Sequence, residues 1–143
     1  MQISFYLGTD SINGPTILRF ELNLTIYLSV SQTPDSKRIL GKAYGVFLEE
    51  LEKHLKHFEL LLNASAKLEP SEIYRASASF HTLKGGAGFF GLTRFAEVSG
   101  SLESLLIDKD FNWDSEVNHL KELFSELKIE AEKLPKSAHI QSN

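Results

Sequence analysis

The 143-residue chain has no cysteine, one methionine, one tryptophan and four prolines. Without thiols there is no disulfide scaffold, zinc-thiolate site, iron–sulfur cluster or cysteine nucleophile. Basic residues are not in excess: 15 Lys and Arg against 19 Asp and Glu leave a net charge of -4, which lacks the footprint of non-specific nucleic-acid binding. No apolar run approaches the roughly 20 residues of a membrane span. No basic segment followed by an apolar block marks a signal peptide, so a cytoplasmic protein is expected. There is no internal repeat. What is present, 42% hydrophobic and 24% charged residues, is the composition of a globular domain. A chain of this size buries roughly two thirds of its unfolded surface.

Two periodicities divide the chain. Leu18, Phe20, Leu22, Leu24, Ile26, Leu28 and Val30 occupy every second position, and Ile3, Phe5 and Leu7 do so more briefly. Period 2 predicts strands. Gly8, Asp10, Asn13, Gly14 and Pro15 between the runs predict a turn, so residues 1–35 read as a β-hairpin-like extension. Its only charges are Asp10, Arg19, Glu21 and Asp35. A lone hairpin is marginal in water, so it needs the rest of the chain or a second copy, and a dimer through these strands is one outcome.

From Asp35 the period is helical. Tyr44, Phe47, Leu48, Leu51, Leu55, Phe58 and Leu62 form one stripe, with room for a separate short helix from Ser36. Residues 63–70 form a connector. A second helix starts near Pro70 and Ser71 and buries Ile73, Ala76, Phe80, Leu83 and Ala87. Thr93 is the expected N-cap of a third helix bearing Phe95, Ser99, Leu102 and Leu106, and Asp114 that of a fourth. The fourth carries Val117, Leu120, Phe124, Leu127, Ala131 and Leu134 and ends at Pro135. The expectation is a mainly α protein, an up-down four-helix bundle over residues 36–135, with a polar tail over 136–143.

The unusual stretch is Phe80-His81-Thr82-Leu83-Lys84-Gly85-Gly86-Ala87-Gly88-Phe89-Phe90-Gly91. Each glycine inside a helix costs about 1 kcal/mol against alanine, yet the spacing of Phe80, Leu83 and Ala87 continues through them. Close approach of another backbone or protein surface would offset that cost. His81, Lys84 and Gly85 share a face. A neutral imidazole is a competent nucleophile near pH 7, a lysine one turn away offsets the charge of a phosphoryl group, and a glycine leaves room for a partner. Phosphohistidine chemistry fits this face. So does a plain reading, in which Lys84-Gly85-Gly86 stops the helix. The phosphate loop G-x-x-x-x-G-K-[ST] is absent, since Lys84 precedes the glycines.

Other positions carry weaker signals. Glu50, His54 and His57 have ligand-like spacing without a second ligand set and read as a solvated face. His119 and His139 have no companions in sequence. Arg75 and Arg94 read as solvated charges at the rim, Trp113 as a packing staple, and at least one of Phe89 and Phe90 as core.

The motif from Phe80 to Gly88, followed by Phe90-Gly91, resembles that of the histidine-phosphotransfer (HPt) domain family. It is most similar to the phosphoacceptor domain of chemotaxis-type histidine kinases. Glu97, Leu102, Glu103, Leu105 and Leu106 fit the pattern of the following helix. The resemblance covers about residues 36–134 as architecture, its specific part about 74–106. It implies a four-helix bundle with His81 as phosphoacceptor, Lys84 as neighbouring cation, Gly85 as clearance residue and Glu103 as the carboxylate on the imidazole. The physics of that last role is a carboxylate on Nδ1–H leaving Nε2 free. Gly100 departs from the subfamily, which often has a second histidine there. The implied function is a phosphocarrier without a kinase catalytic domain, exchanging phosphate with receiver domains and a histidine kinase. It has no cofactor of its own, and the magnesium belongs to the receiver. A binding module that docks such partners without carrying phosphate, and the phosphoacceptor part of a larger kinase, remain open readings.

Overall fold

The computed structural model describes residues 34–64 and 66–136. Of the strand-rich extension expected over residues 1–35, residues 1–33 lie outside these, and of the polar tail expected over 136–143, residues 137–143 do. Among the described residues four helices follow in order: α1 (Pro34–Asn63), α2 (Pro70–Phe89), α3 (Thr93–Ile107) and α4 (Trp113–Glu132). α1 begins before the expected boundary and is one uninterrupted helix, not a short helix followed by a long one. At 30 residues it spans about 45 Å.

Contacts between distant residues establish the alternating direction. Near the start of α1, the Tyr44 ring lies 5.1 Å from that of Phe90, just past the end of α2. The Tyr44 hydroxyl donates to the Pro135 carbonyl, beyond the end of α4, at 2.6 Å. Phe47 meets Phe95, in the first turn of α3, at 6.3 Å. Further along α1, Phe58 packs edge-on against Phe80 and Phe124, both at 4.9 Å between centroids. Near the start of α4, Asp114 pairs with Lys67 from the connector after α1, at 2.7 Å. α1 and α3 therefore run one way, α2 and α4 the other, around a core of the apolar stripes. Leu68 is also buried, so the connector contributes to the core.

Two glycines of the unusual stretch have structural reasons. A Cβ on Gly86 would lie 2.6 Å from Phe47 Cδ1 and 2.7 Å from Cε1. The close approach there is to α1 of the same bundle. α2 runs through Gly85, Gly86 and Gly88, so Lys84-Gly85-Gly86 is not its stop. The stop is Gly91, at φ 72°. Its N–H donates to Gly88 O at 3.1 Å, and that of Leu92 to Ala87 O at 2.8 Å. This pair of bonds is a Schellman motif.

Both expected N-caps are corrected. Asn112, not Asp114, caps α4: its Oδ1 accepts from the N–H groups of Asp114 and Ser115 at 3.0 and 3.3 Å. Glu116 Oε2 accepts from the N–H of Asn112 at 2.9 Å. Asp114 instead sits in the first turn, where its charge suits the helix dipole. For α3 the cap is Leu92 rather than Thr93, because the chain passes from the Schellman turn straight into the helix. At α2, Glu72 Oε1 accepts from the N–H of Glu69 at 2.9 Å, ahead of Pro70.

Candidate functional site

His81 stands halfway along α2, facing outward, its side chain 51% exposed. α2 holds it there because Phe80, Leu83 and Ala87 anchor the adjoining stripe in the core. On the antiparallel α3, Leu102 and Leu106 anchor Glu103 in the same way. The two helices thereby set Glu103 Oε2 against His81 Nδ1 at 2.8 Å. Glu103 is buried, only 4% exposed, which excludes the solvated-surface reading of this residue. A carboxylate only accepts hydrogen bonds, so this contact suits the imidazole tautomer that carries its proton on Nδ1 and leaves the Nε2 lone pair outward.

Lys84 is buried as well. Four residues after Phe80 and three before Ala87, it falls on the flank of the core stripe. Its stem packs inside while its Nζ reaches Glu103 Oε1 at 3.5 Å. The carboxylate is shared, one oxygen to the imidazole and one to the ammonium. This arrangement meets the requirement that a buried charge be paired. Gly85 is half-buried, one turn beyond His81 on α2. The structure thus brings His81, Lys84 and Glu103 into contact and sets Gly85 beside them.

Around this centre the surface is partly apolar. Tyr74, two turns before His81, is 74% exposed, and Ile107, one turn after Glu103, is 57% exposed. Arg75 is exposed. Arg94, read as a solvated charge, pairs with Glu97 at 3.4 Å and with Glu126 of α4. Phe90 packs against the core and Phe89 against Phe90, at 4.8 Å. Trp113 opens α4 and packs against the core, with Phe111 at 6.5 Å. His54 lies 3.8 Å from Glu50. Among the described residues no three metal-ligating side chains converge. His139 lies outside them. Among them, too, no helix is long and apolar enough to cross a membrane.

Sequence reasoning did not foresee that Lys84 is buried, that Gly86 serves Phe47, or that Gly100 lies against the Lys84 stem. The first was available from the Phe80–Lys84–Ala87 spacing. The other two depend on contacts between helices and leave no local signal.

Comparison with known proteins gives one match to a family model, the Hpt domain, over residues 42–135. No curated protein and no solved structure matches the chain.

Proposed function

The chain belongs to the Hpt domain family, and from that premise we propose that His81 is its phosphoacceptor, exchanging a phosphoryl group with the aspartate of a receiver domain. Hpt domains are phosphocarrier modules of phosphorelays, not kinase catalytic domains, and they interact with kinases and receivers. The observation that carries the assignment to His81 is its 2.8 Å contact through Nδ1 to the buried Glu103.

In this reading Nε2 attacks the phosphorus of the aspartyl phosphate. The bond between phosphorus and the aspartate oxygen breaks, the aspartate leaves as carboxylate, and an N–P bond forms. The ring gains positive character as Nε2 commits its lone pair. Glu103, already on Nδ1–H, stabilises that charge without reorganisation. Phosphoryl transfer asks mainly for position and charge neutralisation. Lys84 contributes to the second, and the receiver brings the magnesium. Gly85 leaves clearance for the receiver, and exposed Tyr74 and Ile107 offer it apolar contact beside His81.

The test is intact mass after mixing the protein with phosphorylated receiver domains. The expected result is a gain of one phosphoryl group, labile to acid and absent in His81→Gln. Uptake that persists in His81→Gln overturns the assignment. A folded protein that binds receivers and gains no mass supports docking without phosphate instead.

A further inference from the structure

Gly100 lies on α3 one turn before Glu103, on the side facing α2. A Cβ there would come within 3.0 Å of Lys84 Cδ and 4.0 Å of Cγ. The Lys84 side chain is 10% exposed although it ends in an ammonium group, and that group lies 3.5 Å from Glu103 Oε1. A lysine stem ordinarily lies along a surface with its head in water. Here nearly the whole side chain is covered, and its Cδ lies in the space left where position 100 has no side chain. Glu103 Oε2 meanwhile holds His81 Nδ1.

We propose that Gly100 is a positioning residue for His81, because the space it leaves lets the Lys84 stem lie against α3 and set its ammonium against the carboxylate that orients the imidazole. The proposal rests on the phosphoacceptor role of His81. A β-branched residue at position 100 has its methyl groups fixed by the helix, in the path of the Lys84 stem, and turns the ammonium out to solvent. Glu103 then keeps the imidazole as its partner without the ammonium. With Oε1 no longer held by the ammonium, the carboxylate is free to rotate and the imidazole loses the fixed partner that orients Nε2 toward the donor.

The experiment uses the full chain with Gly100→Val, Lys84→Ala and the double variant, and phosphoramidate as a small donor that needs no docking surface. The donor's P–N bond breaks, ammonia leaves, and the phosphoryl group bonds to Nε2. Gly100→Val is expected to slow uptake at His81 about tenfold, the size of losing one charge-assisted contact, and Lys84→Ala by a similar factor. In the Lys84→Ala background Gly100→Val should change nothing, since coupled residues are non-additive. Limited acetylation with peptide mass readout should show Lys84 labelled several-fold faster in Gly100→Val and the other lysines unaffected. Unchanged labelling of Lys84, or a Gly100→Val effect that persists undiminished without Lys84, overturns the proposal. Parent protein that takes phosphate elsewhere than His81 overturns the phosphoacceptor reading instead. The labelling arm still decides whether Gly100 seats Lys84.

Discussion

At the scale of single residues, the site depends on one buried carboxylate. Glu103→Gln keeps the shape and removes the charge. Phosphoryl uptake by His81 is expected to fall about tenfold, from the weaker hydrogen bond to Nδ1 and the lost stabilisation of the ring. Rapid-quench measurement of uptake checks this, with circular dichroism to show that helicity is retained. Ser99 is a contrasting case. Its Oγ is buried with no hydrogen-bond partner among the described residues. Ser99→Ala removes an unsatisfied group with little change in volume and should raise stability by about 1 kcal/mol in urea unfolding. The position of Ser99 was legible, since it falls on the stripe with Phe95 and Leu102. The lack of a partner was not, because that depends on what the facing helices bring.

At the scale of helices, the glycines of α2 separate into different tasks. Gly86 accommodates the Phe47 ring, with any Cβ 2.6 Å from it. Gly86→Ala should destabilise the fold by about 1–3 kcal/mol through overpacking, despite the better helix propensity of alanine. Denaturant unfolding decides between the two effects. Gly85→Leu is expected instead to block transfer from a receiver while leaving uptake from phosphoramidate intact, and equal loss with both donors would refute clearance as its role. The helices themselves were legible from the 3.6-residue stripes, and so was the shared face of His81, Lys84 and Gly85. The caps were not. Asp114 is as good an N-cap by type as Asn112, and only the backbone path puts Asn112 Oδ1 in reach of two N–H groups. Leu92 is a cap that no propensity would choose, and its place follows from the left-handed Gly91 turn before it. The single sweep of α1 past Gly41 and Gly45 follows from burial of Leu40, Tyr44 and Phe47 on one line, which outweighs the low propensity of isolated glycines.

At the scale of the whole molecule, the bond from Tyr44 to Pro135 fastens the first half of α1 to the chain just past the fourth helix. Burial raises the Tyr44 hydroxyl pKa above its ordinary 10.0. The unfolded chain therefore releases this proton at lower pH than the folded one. The resulting stabilisation is fully present below about pH 10 and is lost as pH rises through the raised folded value. Urea midpoints of the parent should fall more steeply than those of Tyr44→Phe above about pH 10. At neutral pH, Tyr44→Phe should be less stable by about 1 kcal/mol for the lost hydrogen bond. Parallel midpoints across the alkaline range would show that the hydroxyl is not held as described.

The histidine and its carboxylate sit on different helices, and this makes their contact conditional on assembly. A slip of α3 past α2 by a single residue moves Glu103 about 1.5 Å along the axis, enough to break a 2.8 Å contact. A chain still being synthesised, or one with α3 detached, presents the imidazole without its carboxylate. In the phosphoacceptor role proposed for His81, an incompletely folded copy is therefore a poorer acceptor than an intact one, and folding itself selects which copies take part.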